Sequence, residues 1–374
     1  MVKKALPGRS PSTEPEGAPP TGPTQGAPPK GAFLARPMRA SFALWAGDET
    51  IYLALAPRRG LPRPTMARPL SEALQSAPLF FESVPPPART PPHRVEERTS
   101  AVVKLIESVP RVDAVVVPEL VDENHEGQPH YRSGDPRTYA RALADRTGRE
   151  VIVNKVVAHL PDIPSVERWA KETVDRGIRH VVLVGGSSRY IPYPGPPVAE
   201  ADRLCRPTFA SAGGSIGNIA IPQRSGEAHR MLAKTRAGAA FFTTQLLFDD
   251  DAAREVLLRY DLLCRQASLP PAAVLLSVAP IADEEDAEFV RWLGADLPDS
   301  AERTILEGEE KEAVRRSVEL AVNVWESVRK GAEKERISVP IGVNVEQISV
   351  RHLESAGVLL QEFARRIDEA SGPA

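Results

Sequence analysis

FFTTQLLFDDDAA, Phe241 to Ala253, opens with the aromatic pair of an interior strand and closes as the start of a helix. Between the two lie Thr243, Thr244 and Gln245, three hydrogen-bonding side chains at the strand's carboxyl end. The acidic run Asp249 to Asp251 complements the positive N-terminus of a helix, and Val256, Leu257, Tyr260 and Leu263 supply that helix with an apolar stripe. A buried strand leading directly into an amphipathic helix is the repeating unit of a parallel sheet covered by helices.

The unit recurs along the chain. Strand-length apolar runs fall at PLFFESV (Pro78 to Val84), DAVVVPEL (Asp113 to Leu120), EVIVNKVV (Glu150 to Val157) and HVVLVGG (His180 to Gly186). Four more are SIGNIAI (Ser215 to Ile221), AAFFTTQ (Ala239 to Gln245), AAVLLSVAP (Ala272 to Pro280) and ISVPIGVNV (Ile337 to Val345). Segments of helical period separate them, among them one whose Val314, Val318, Ala321, Trp325 and Val328 step by four and three. Eight strand-and-helix units predict a (β/α)8 barrel over residues 66–374, with a doubly wound open sheet as the alternative. Pro340 inside the last run and polar Asn154 and Lys155 inside the third are its least regular points.

Residues 1–65 read differently. Lys3 to Lys30 is built from Pro, Gly, Ser, Thr and Ala with almost nothing to bury, so the expectation is a disordered extension. A strand-like TIYLALA follows, but Pro and Arg interrupt its surroundings. Met66 opens a short helix before the first barrel strand, and a translation start there would remove the extension altogether.

Charge narrows the function. With 47 basic and 50 acidic residues interspersed along 374, the chain lacks the concentrated positive field that a nucleic-acid partner requires. No apolar run approaches bilayer length, so no membrane span is expected. Cys205 and Cys264 have neither a disulfide framework nor a metal-ligand spacing around them, which fits a cytoplasmic protein.

In a barrel the carboxyl ends of the strands form the active mouth. Glu82, flanked by Phe80 and Phe81, is a carboxyl in an apolar setting, where burial favours the protonated form and suits it to donate a proton; a salt-bridged or solvated carboxylate is the plain alternative. Glu119 ends the second strand similarly. Gln245 offers a donor and an acceptor to a heterocycle, or else bonds neighbouring backbone. Gly185, Gly186 and Ser187 permit close backbone approach to a phosphate, or form a tight turn. DENHEGQPH, Asp122 to His130, matches no standard metal site and reads as a mobile loop over the mouth. His180 begins its strand at the far end and reads as structural.

Five stretches, FFESVPPP at Phe80, DRTG at Asp145, GIRHVVLVGG at Gly177, KTRAGAAFFTTQLLFD at Lys234 and GVNVEQ at Gly342, stand in the order seen in methylenetetrahydrofolate reductases. The chain resembles that family from about Pro78 to Gln347. The resemblance implies a (β/α)8 barrel of one-carbon metabolism, serving methionine biosynthesis, that reduces methylenetetrahydrofolate to methyltetrahydrofolate with NAD(P)H. The hydride passes through FAD or, in some members, directly. It implies Glu82 as the acid that protonates the folate as its five-membered ring opens, and Gln245 as the pterin anchor. Asn344 is a further folate contact, and Gly185, Gly186, Ser187, Ile221 and Lys234 hold the cofactor.

The sequence also departs from that pattern. Gly185-Gly186-Ser187 stands where the family carries Arg-Gly-Asp, and Glu119 is the candidate to supply the missing carboxylate from a neighbouring strand. A homo-oligomer or an electron-donating subunit would be the implied protein partner. Two other readings remain open: a barrel that binds a folate or a corrinoid partner without redox chemistry, and an unrelated phosphate-binding barrel using the Gly-Ser loop.

Overall fold

The structure, a computed structural model, describes residues 68–188, 190–348 and 351–371. The expectations for residues 1–65, including the extension and the start at Met66, lie outside the described residues.

Parallel strands of four to seven residues close into a barrel because each carries apolar side chains on both faces and is followed by a helix long enough to return the chain. They are β1 (Leu79–Glu82), β2 (Ala114–Val117), β5 (Glu150–Val156), β6 (His180–Val184), β7 (Ser215–Ala220), β8 (Ala239–Thr244), β9 (Ala273–Val278) and β10 (Ile341–Glu346). Around the barrel the order is β1-β10-β9-β8-β7-β6-β5-β2, so the first and last strands seal it. The (β/α)8 expectation holds, and the open sheet falls away. Pro340 sits one residue before β10, where its missing N–H costs no ladder bond and its carbonyl accepts from Val274.

The outer ring consists of α2 (Pro92–Ser108), α3 (Pro136–Thr147), α4 (Ile163–Asp175), α5 (Val198–Ser211), α6 (Glu227–Ala237), α7 (Asp251–Gln266), α10 (Ala313–Glu335) and α11 (Leu353–Ser371). Their apolar stripes meet the outward residues of the strands in one large core that contains Tyr260, Trp325 and Phe363. Asp135 and Asp162 cap α3 and α4 by accepting from Arg137 N and Ser165 N, and Gly148 ends α3 in the left-handed conformation. Two short helices, α8 (Glu284–Trp292) and α9 (Asp299–Leu306), are inserted after β9 over a separate small apolar cluster.

The DENHEGQPH segment is a hairpin, not a loose loop. β3 (Val121–Glu123) pairs antiparallel with β4 (Pro129–Tyr131), and Asn124 Oδ1 closes the turn by accepting from Glu126 N and Gln128 N. Cys205 and Cys264 are buried free thiols, and no helix among the described residues is long and apolar enough to cross a membrane.

Inside the barrel the lower layer is dry. Phe80, Ala114, Val116, Ile152, Val182, Phe241, Ala273 and Leu275 fill it, and Leu70 and Leu74, from the short helix α1 (Leu70–Ala73) and its end, plug the amino-terminal opening. Phe80 and Phe241 meet edge to face at 5.8 Å, and Gly217 leaves room for the Phe241 ring, which any β-carbon there would overlap. Phe241→Ala is expected to cost about 3–5 kcal/mol in urea unfolding, the loss of a fully buried aromatic ring plus the cavity left behind. A cost under about 1 kcal/mol would mean that this layer is not close-packed.

Candidate functional site

Strand alternation lifts the next inward side chains two residues above the dry layer, and there the lumen turns polar. Glu82 follows Phe80, Asn154 follows Ile152, Thr243 follows Phe241 and Ser277 follows Leu275. On β10, where Ile341, Val343 and Val345 face the outer core, Asn344 and Glu346 face inward. Asn344, Ser277 and Thr243 are buried, while Glu82, Asn154 and Glu346 are partly buried below the rim.

Two carboxyls lie side by side in this layer. Glu82 and Glu346 are register partners on β1 and β10, strands that run parallel about 4.8 Å apart. Asn344 Nδ2 donates to Glu346 Oε1 at 3.2 Å and to Ser277 Oγ at 3.1 Å. Burial, then the charge of Glu346, holds Glu82 well above the usual carboxylate range, and a hydrogen bond with Asn154 opposes them. Burial pushes Glu346 up to about 7 against hydrogen bonds with Ser277 and Asn344. The carbonyl oxygens of Asn154 and Asn344 are buried without a partner, so this layer holds two unused acceptors beside its two carboxyls.

Gln245 ends β8 at the same carboxyl end of the barrel, three strands from Glu82. Its Nε2 donates to Leu293 O at 3.1 Å and its Oε1 accepts from Leu246 N at 3.1 Å, so its amide bonds neighbouring backbone. Glu119 accepts from Lys155 Nζ at 2.6 Å and from Val156 N at 2.9 Å, which ties it to the end of β5. The Lys155 ammonium also lies over the Tyr131 ring of β4, 5.7 Å from its centroid.

The residues expected to cradle a cofactor are engaged within the chain. A β-carbon on Gly186 would overlap the Tyr193 ring, which explains the glycine by packing. Ser187 donates from its Oγ to Glu123 at 2.6 Å and from its N at 3.3 Å; Tyr193 OH and His159 Nε2 reach the same carboxylate at 2.5 and 2.9 Å. Burial raises Glu123, but the hydrogen bonds from Ser187, Tyr193 and His159 together outweigh it and hold the carboxyl below its ordinary value. Lys234 Nζ donates to Ile219 O at 2.7 Å, and burial lowers its pKa against the pull of Glu227 and Asp202. Ile221 N is taken by Glu227 Oε1 at 3.2 Å. A flavin diphosphate needs free donors and positive potential. With a carboxylate standing among donors already in use, this set does not fit one.

Two excursions flank the β1–β10 arc. The hairpin after β2 and the insertion after β9 meet where the Arg132 guanidinium lies 5.4 Å from the centroid of the Trp292 ring, itself stacked on Phe289. On the insertion side Asp283, Asp286 and His352 gather, but Asp283 caps α8 and Asp286 accepts from Ala282 N, so both acids already hold the loop.

Glu346 and Asn154 were not marked from sequence as site residues. Alternation within GVNVEQ gives the signal for Glu346, since Asn344 and the residue two positions on must share a face.

No protein-family model matches the chain, and no curated protein sequence matches it. Among solved structures, an uncharacterized protein from Clostridium thermocellum that binds two copies of 5-methyl-5,6,7,8-tetrahydrofolic acid is similar, with 19% identity over 79% of this chain and 98% of that one and a TM-score of 0.66. A tryptophan synthase complex from Pyrococcus furiosus has 13% identity over 80% and 99% of the two chains and a TM-score of 0.43. At these identities the likeness is one of fold.

A carboxyl that keeps its proton to higher pH when folded than when unfolded stabilises the fold at low pH and gives that up as pH rises. For Glu346 the window runs from the ordinary value of 4.5 to about 7, and buried Asp202, raised to about 7 by desolvation, adds the same sign. The melting temperature is therefore expected to fall between about pH 5 and about pH 8, and Glu82→Gln to make the fall shallower. A melting temperature that rises across that range in calorimetry would contradict the assignment.

Proposed function

We propose that the chain is a methylenetetrahydrofolate reductase-like enzyme in which Glu82 is the general acid and hydride comes directly from a nicotinamide. The carrying observation is the carboxyl at the floor of the barrel mouth, set beside a second carboxyl with no cation, raised well above the usual carboxylate range, in a layer with two unused amide oxygens. The sequence resemblance supports the reading, as does the similar barrel that binds a methylated tetrahydrofolate.

In this reading the folate's reactive ring lies against Glu82. Its carbon–nitrogen bond breaks with the electron pair moving to nitrogen, which takes the proton from Glu82, and the carbon is left as an iminium cation. Reduced nicotinamide supplies the hydride that completes the methyl group. Asn154 and Asn344 carbonyls accept from N–H groups of the pterin, and Gln245 is available once its bond to Leu293 O is exchanged for one to the ligand. The Gly185–Ser187 loop and Lys234 are committed to Glu123 and Ile219, so the diphosphate of a flavin or of a nicotinamide dinucleotide would have to be held elsewhere on the mouth.

Those same commitments favour a second reading, a barrel that binds folate without reducing it. Purified protein mixed with methylenetetrahydrofolate and NADH or NADPH separates the two. The reductase reading expects oxidation of the nicotinamide, with Glu82→Gln lowering kcat by about 10²–10⁴-fold while folate binding in calorimetry stays within about tenfold. Tight folate binding with no nicotinamide oxidation would establish the second reading instead.

A further inference from the structure

Glu82 has a partner that the reductase reading does not use. Glu346 stands beside it in register, on the strand that seals the barrel, and both side chains face the lumen. Among the described residues neither carboxyl makes an ion pair. Lys155 of β5, a strand that adjoins neither, is bound to Glu119 beyond the end of β2. What faces the pair is uncharged: the Asn154 amide from β5, Ser277 from β9, Thr243 from β8 and Asn344 from β10 itself. The Asn344 amide turns its N–H, not its oxygen, to Glu346, and the layer below is hydrocarbon. Two acids so placed cannot both ionise at low cost, and nothing positive is present to let them.

We propose that Glu346 is the second carboxyl of the proton-transfer site: it and Glu82 hold one proton between them at neutral pH, Glu82 delivering it and Glu346 keeping the negative charge. The step this serves rests on the reductase reading. As the carbon–nitrogen bond of the folate breaks, nitrogen takes both the bonding electron pair and the proton, and the carbon becomes cationic. The pair passes from one negative charge to two beside that new positive charge, and a proton from water later restores it. Like-charge repulsion keeps the proton on the pair before the reaction, and the cation relieves that repulsion as it forms. Both raised carboxyls agree with a shared proton.

Isotope-edited infrared titration of the full-length protein tests the sharing without requiring turnover. In the unsubstituted protein one carboxyl of the pair should stay protonated past neutrality and the pair should titrate in two separated steps. Glu346→Gln should move the Glu82 step down by about one pH unit or more, whereas Glu82→Gln removes a group that is still uncharged when Glu346 ionises and should leave the Glu346 step near its place. In the reductase assay Glu346→Gln should move the alkaline limb of the pH–rate profile down by the same amount. A Glu82 step at the same pH with glutamine at 346, or both acids ionised well below neutrality, would overturn the proposal. So would a magnesium- or calcium-dependent rise in melting temperature that both single variants abolish, since the pair would then belong to a cation. If the shared proton is found but no nicotinamide is oxidised, the reductase reading fails and the pair stands. Turnover with independently titrating acids does the reverse. If Glu346→Gln folds poorly, the two separated steps in the unsubstituted protein still decide the matter.

Discussion

The register of β1 against β10 sets Glu82 beside Glu346, and the chemistry of the mouth follows from that pairing. Two carboxylates about 4–5 Å apart repel by roughly 3–4 kcal/mol at an effective dielectric near 20. The backbone fixes their separation, because both are inward positions on hydrogen-bonded neighbouring strands. Hydrogen bonds from Asn154 and Asn344 hold the two side chains in the lumen, and the Phe80 layer beneath is hydrocarbon. Protonation is the cheapest relief. The same pair would be an ordinary structural feature if an arginine stood on β2 or β9; Val116 and Ser277 stand there instead.

The lumen pair differs from the acids around it. At the amino end Asp113 accepts from Arg68, Arg111 and Leu79 N, and Glu150 pairs with Arg179 and His180. Asp261 likewise accepts from Ser338 N and Oγ and pairs with Arg265. Such acids are matched by cations and backbone donors and hold loops in place. At the carboxyl end Glu82 and Glu346 receive only amide and hydroxyl donors. Paired acids, among them Glu119 with Lys155 at the carboxyl end, hold segments together, and the unpaired lumen carboxyls are the ones placed where a (β/α)8 barrel does its chemistry.

How much of this was legible follows the range of the interactions. Strand and helix order is written locally, in apolar runs that end at Glu82, Gln245 and Val278, so the eight strands could be read to within a few residues. The position of Glu82 in an apolar pair was equally local. Glu346 was hidden because its significance depends on closure, which joins residues more than 250 positions apart. The Gly185–Ser187 loop was misleading for a related reason: its glycine and serine suit an approaching phosphate, but Tyr193 and Glu123 arrive from other segments to occupy the same groups. Local pattern gives the kind of group at a strand end, whereas its partner is a property of the assembled mouth.

The excursions that flank the β1–β10 arc connect this acidity to ligand binding. Arg132 and Trp292 join the hairpin after β2 to the insertion after β9, and Gln245 is tied to the same insertion through Leu293 O. In the proposed reading, a planar ligand seated above Glu82 and Glu346 excludes water from over the pair, whose lower side is hydrocarbon. Lower local dielectric strengthens the repulsion between the two carboxyls and binds their proton more firmly. The acid is thereby strongest as a store when the site is full and before reaction. In the proposed reaction it becomes a ready donor only when positive charge develops a few ångströms away, so the proton would leave in step with bond breaking and not before it.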